Sequence, residues 1–240
     1  MKIVRDFSHW NIIYDYPIVR ANADAFIIKA YDIEYTQNPD DEDPAHDDHW
    51  FGLRPKPVAE YLYFDPGANP RDQVLGYLNV SYRGFLDALD FEETEGIDAG
   101  TVTNRVIGAL ENFILEAGRK AWLYSNINLL DNVLREPARI ATLIGGIWLA
   151  WPSPNSNQPR LPANYPPELV KLWQKSWTEE IDGTDGPTDY SVWMGTDAEW
   201  DDLMVMPPIP DPPTSSLEPR LAVVEQKVQR LEDWGTSLET

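Results

Sequence analysis

Asp90 and Glu92 stand two residues apart in the run Leu89-Asp90-Phe91-Glu92-Glu93. On an extended backbone the side chains alternate, so both carboxyls face one side while Phe91 turns to the other. Like charges this close oppose joint ionisation, and one acid is held protonated near neutral pH, ready to give its proton to a leaving oxygen. Such a pair suits glycoside hydrolysis. The same pattern is common on exposed strands, so its meaning depends on what surrounds it. A second polar run, Arg5-Asp6-Phe7-Ser8-His9-Trp10, ends the first apolar stretch of the chain. Without any cysteine, disulfides, thiolate zinc sites and a cysteine nucleophile are excluded. Carboxylates, hydroxyls and three histidines remain to carry any chemistry.

Short apolar runs that end in polar residues predict eight strands, at 2–5, 25–29, 60–64, 85–91, 120–124, 146–150, 170–174 and 190–193. Three- and four-residue apolar spacings predict helices over 71–80, 101–117 and 127–134. Strands alternating with helices imply a parallel sheet, and eight of them suggest a closed, TIM-like (β/α) barrel of the α/β class. The later strands have little helical sequence between them, so the second half of the barrel is expected to be irregular. In such a barrel function collects at the carboxyl ends of the strands, where both polar runs would lie. The acid-rich stretch 39–48, with two prolines and no glycine-centred calcium loop, reads as a solvated loop. His46 and His49 beside it lack the fixed geometry expected of a metal site, and no metal is expected.

Forty acidic against nineteen basic residues leave a net charge of −21, which repels phosphates and argues against nucleic acid or an anionic membrane as a partner. An apolar content of 42 % is enough for a buried core. The opening MKIVRDFSHW has no apolar segment of the secretory kind, and the longest uncharged stretch, 140–157, is broken by Gly145, Gly146, Pro152 and Pro154. Composition divides the chain into a globular part at 1–206, a stiff proline-rich linker at 207–216 and a final segment at 217–240. In that last segment Leu217, Leu221, Val224, Val228, Leu231 and Leu238 fit a heptad seam, the pattern of a coiled coil that joins chains in parallel. A trimer is expected in preference to a dimer.

Several runs, taken in order, resemble the catalytic domain of glycoside hydrolase family 25, the Chalaropsis-type lysozymes or N-acetylmuramidases. Asp6-Phe7-Ser8-His9-Trp10-Asn11 resembles the family's D-V-S-x-W/H-Q opening, and Phe26-Ile27-Ile28-Lys29-Ala30 its second strand. Tyr61-Leu62-Tyr63-Phe64-Asp65-Pro66-Gly67 is similar to its third strand and the loop after it, and Leu89-Asp90-Phe91-Glu92 to its L-D-V-E. Trp122-Leu123-Tyr124-Ser125, Ile147-Trp148-Leu149-Ala150 and Leu172-Trp173-Gln174 resemble later strands, and Asp189-Tyr190-Ser191 stands where the family has D-x-N.

The resemblance implies a barrel with fewer helices than strands that hydrolyses the β-1,4 bond between N-acetylmuramic acid and N-acetylglucosamine in peptidoglycan, without a cofactor. It implies that Glu92 is the general acid and base, that Asp90 steadies the substrate's acetamido group, and that Asp6 and Asp189 are flanking acids. Lys29, Tyr63, Tyr124, Trp148 and Gln174 would bind the glycan strand. Lys175 departs from the family's aromatic after W-Q, Ser191 departs from its Asn, and 39–50 lacks its usual segment. The four acids are kept. A cell-wall substrate with no leader would suit a phage lysin or virion component. The alternative is a barrel without turnover that binds glycan or builds an oligomeric fibre; a related enzyme for another amino-sugar polymer is a third reading.

Overall fold

The computed structural model describes residues 1–33 and 42–204; the segments read as linker and coiled coil lie outside the described residues. In chain order the elements are β1 (Ile3–Phe7), β2 (Ile12–Ile13), α1 (Tyr16–Ala21), β3 (Ala25–Asp32), α2 (His46–Leu53), β4 (Val58–Tyr63), α3 (Pro70–Val80), β5 (Asp87–Asp90) and α4 (Ala99–Asn112). Next come β6 (Trp122–Asn126), α5 (Pro137–Leu143), β7 (Ile147–Ala150), β8 (Val170–Glu179), β9 (Thr184–Asp185), β10 (Thr188–Trp193) and α6 (Asp197–Met204). Eight strands close a barrel in the order β1-β10-β8-β7-β6-β5-β4-β3, while β2 and β9 pair beside it. Each of the eight segments expected to be a strand supplies one barrel strand.

The sheet is not parallel throughout. The strands from β1 through β3 to β8 pair in parallel, but β10 runs antiparallel to both β8 and β1. Only the short segment containing β9 separates β8 from β10, too little chain for the crossover that a parallel pair requires. A reversed strand is the geometry that a short connection permits.

Strand β3, AFIIKAYD, is buried along its whole length, because a parallel barrel strand has side chains packed on both faces. Its inward residues join Val4, Ala59, Ala88, Trp122, Trp148, Leu172 and Trp193 in the barrel interior, which Trp200 of α6 also touches. Outward residues Leu62, Leu89, Leu123 and Leu149 pack against Val74 and Tyr77 of α3, Val102, Val106 and Leu110 of α4, and Ile140 of α5. Helix α4 shows why this layer forms. Asp98 caps it by accepting from Gly100 N at 2.9 Å and Thr101 N at 3.1 Å, and residues 102, 106 and 110 repeat at four-residue spacing on the buried face. Each such side chain contributes about 1.5–3 kcal/mol on full burial. The helix passes into a π-helical turn, Phe113–Ala117, and stops at Gly118, whose φ of 71° suits a residue without Cβ. The predicted helix at 127–134 is also wound in part as a π-helical turn, over Leu129–Val133.

The acid-rich stretch corrects the reading of a solvated loop over its described part. Asp43, His46 and His49 are buried, and α2 begins at His46. The His46 ring lies between Glu42 and Glu60, with Nδ1 3.0 Å from one carboxylate and Nε2 2.6 Å from the other. Those partners raise its pKa to about 9 although burial, the largest single influence, pulls it down. Glu60 also accepts from Ser81 Oγ at 2.7 Å and Tyr82 N at 2.9 Å, so an imidazolium and two neutral donors satisfy a buried carboxylate. Glu42, His46 and Asp47 lie close enough together to consider a metal, but both ring nitrogens of His46 already face carboxylates. No helix among the described residues is long and apolar enough to cross a membrane.

Candidate active site

Alternation along the barrel strands delivers polar side chains to one end. On β1, Val4 enters the interior cluster and Asp6 comes two residues later; on β5, Ala88 precedes Asp90 in the same way. Strand β10 reaches this end with its beginning instead of its finish, because it runs in reverse. That reversal sets Asp189 opposite Asp6 in the pairing register. Asp90 pairs in register with Tyr63 on β4 and with Tyr124 on β6.

Four carboxyls therefore share the mouth. Asp90 is only 5 % exposed, and one of its oxygens, Oδ1, has no hydrogen-bond partner. Burial, then the charge of Glu92, holds its pKa well above the usual carboxylate range. Glu92 lies two residues beyond the end of β5, at the exposed rim. The walls of the mouth still desolvate its carboxyl and raise its pKa, with the charges of Asp189 and Glu93 adding to the effect. Both acids of this pair are therefore raised, the deeper Asp90 well above the usual carboxylate range. Asp6 and Asp189 repeat the arrangement. Burial and then the charge of Asp189 raise Asp6 strongly, and burial raises Asp189.

Gln174 on β8 binds the second pair. Its Nε2 donates to Asp189 Oδ2 at 2.9 Å and approaches both oxygens of Asp6 at 3.4 Å. Its Oε1 accepts from the Tyr124 hydroxyl at 2.7 Å and the Trp177 indole N–H at 2.7 Å. Trp148 is buried below, its ring 4.5 Å from that of Tyr124 and its Nε1 donating to Ser191 Oγ at 3.0 Å. Tyr124, Trp148 and Gln174 thus form the floor, with little surface of their own in solvent. Lys29 reaches in from β3, hydrogen-bonds Asp32, stands 4.7 Å over the Tyr63 ring and lowers the pKa of Asp90 and Glu92. Tyr63 is partly exposed and donates to Glu93 Oε1 at 2.8 Å.

All nine residues singled out from the sequence therefore sit on strands, or the ends of strands, that meet at one mouth. Sequence reasoning did not single out Tyr61, Glu93 or Trp177. Alternation could have found Tyr61, two residues before Tyr63 and partly buried beside the acids, whose charges add to desolvation in raising its pKa. Nothing in the alternation signals Trp177, because the register of β8 shifts before reaching it.

No protein-family model matches the sequence, and no curated protein matches it. Solved structures do match. A lysozyme from Streptomyces coelicolor superimposes with a TM-score of 0.70 at 16 % identity, over 85 % of this chain and 96 % of its own. A family 25 glycosyl hydrolase from Bacillus anthracis gives 0.69 at 16 %, over 84 % and 93 %. The catalytic domain of an endolysin from bacteriophage P40 of Listeria monocytogenes gives 0.63 at 18 %, over 86 % and 98 %. The barrel fold is thus shared with these structures over most of the chain.

Proposed function

We propose that the protein is a peptidoglycan hydrolase of the family 25 type, a muramidase that cleaves the β-1,4 bond between N-acetylmuramic acid and N-acetylglucosamine. The observation that carries this reading is the meeting of Asp6, Asp90, Glu92 and Asp189 at one mouth of a barrel whose structural neighbours are lysozymes, muramidases and endolysins. Glu92, at the rim with a raised pKa, is placed to protonate a glycosidic oxygen and then to activate water. Asp90 lies beneath it and steadies the acetamido group of the substrate. Asp6 and Asp189, tied by Gln174, keep a second proton in the site and add negative charge that favours the protonated form of Glu92. Lys29, Tyr63, Tyr124, Trp148 and Gln174 shape the glycan site around these acids. The heptads of residues 217–240 support assembly into a parallel coiled coil, preferably a trimer.

Incubation with purified peptidoglycan, and then mass spectrometry of the new reducing ends, tests the reaction. Muropeptides ending in reducing N-acetylmuramic acid are expected. Reducing N-acetylglucosamine would move the cut to the other bond, and binding without new ends would make the barrel a glycan-binding module.

A further inference from the structure

Strand β8 does not keep one alternation along its length. Its partners on β10 step evenly from Leu172 opposite Trp193 to Gln174 opposite Ser191, and then Ser176 faces Tyr190. Lys175 is the extra residue of a β-bulge, and it leaves the ladder with its ammonium 5.3 Å over the Trp173 ring. The bulge changes the parity of the strand beyond it. Trp177, an odd number of residues past Gln174, turns back over the same mouth and donates its indole N–H to Gln174 Oε1. The residue is 50 % exposed, unlike Tyr124 and Trp148 on the floor. In the closed order of eight strands, β8 stands four places from β4, so Trp177 and the partly exposed Tyr63 occupy opposite rims.

We propose that Trp177 is a substrate-contacting and positioning residue of this site: its exposed ring stacks on an N-acetylhexosamine of the bound glycan strand, and its indole N–H fixes the Gln174 amide against the Asp6–Asp189 pair. This rests on the glycan-hydrolase reading and deepens it. An inventory of lone pairs and donors decides how the amide is turned. Gln174 Oε1 has two lone pairs and receives two donors, Tyr124 and Trp177, which leaves its NH₂ facing the acids. A rotated amide would set its oxygen against carboxylates and strand both donors. Removing the indole N–H weakens that choice, whereas removing the whole ring also removes the stacking face, and flat apolar rings are suited to the C–H faces of sugars.

The two roles separate in two variants. Trp177→Ala is expected to raise KM on soluble, peptide-stripped glycan strands by about five- to tenfold. Trp177→Phe keeps a smaller flat aromatic face and is expected to hold KM within about twofold while lowering kcat, because the N–H donor to Gln174 is lost. Calorimetric titration of the same strands into Glu92→Gln, alone and combined with Trp177→Ala, reads binding without turnover. An unchanged KM and unchanged titration for Trp177→Ala would overturn the stacking role, and an unchanged kcat for Trp177→Phe the positioning role. A parent that binds strands through Trp177 but never cuts them would overturn the hydrolase reading and leave the contact standing. Absence of both binding and cutting would overturn the two together.

Discussion

Asp90 and Glu92 differ in depth more than in chemistry. Asp90 is buried with its pKa pushed well above the usual carboxylate range, while Glu92 stands at the exposed rim with a smaller upward push. Glu92→Gln keeps the shape and removes the acid; hydrolysis of purified peptidoglycan is expected to fall by about 10²-fold or more, with a melting temperature no lower than the parent's. Parent-like turnover would remove Glu92 from its role. Asp189 raises the pKa of Glu92 by its charge. Asp189→Asn is therefore expected to move the alkaline limb of the pH–rate profile to lower pH, since a neutral neighbour no longer penalises the ionised form of Glu92. Asp90→Asn has a stability consequence. A carboxyl whose folded pKa lies above its unfolded value costs stability as pH rises from the unfolded value through the folded one. At pH 7 the amide is expected to melt higher than the parent, by about 2–4 °C for each kcal/mol of relieved cost, while turning over more slowly. A lower melting temperature would make Asp90 a structural hydrogen-bond partner instead.

At the scale of elements, His46 ties α2 to β4 as an imidazolium. Its folded pKa of about 9 stands above the ordinary 6.5, so its stabilisation is fully present below pH 6.5 and is lost as pH rises through 9. Thermal melts between about pH 6 and pH 9.5 are expected to show a decline that His46→Gln flattens; parallel pH dependences would deny the charged state. Strand positions were legible in the sequence because parallel barrel strands are buried on both faces and read as apolar runs such as Phe26-Ile27-Ile28. Strand direction was not legible, since period-two alternation is the same read either way, and only the brevity of the β8–β10 connection hints at the reversal of β10. The burial of His46 and Asp43 was hidden by acidic composition, which reads as solvent-facing until Glu60 and Ser81 are seen to close around it. Asp6, Asp90 and Glu92 were legible from strand ends and spacing, whereas Trp177 depended on a bulge at Lys175 that residue types do not announce.

Across the whole molecule, the raised acids of the mouth and the raised imidazolium of His46 act in one direction, favouring the folded state at mildly acidic pH. The net charge of −21 adds self-repulsion as the remaining carboxyls ionise. Assembly is a separate matter of the heptads. Light scattering of the full chain beside a version ending at Pro213 is expected to give a trimer and a monomer with equal hydrolysis per barrel; a monomer for both would remove the coiled coil. The antiparallel placement of β10 bears also on how the protein is made. Asp6 lies on the first barrel strand to leave a ribosome, and Asp189, its register partner, on the last. A nascent chain halted before β10 carries neither a closed barrel nor the Asp6–Asp189 pair, so the mouth with its four acids exists only once translation of the barrel is complete.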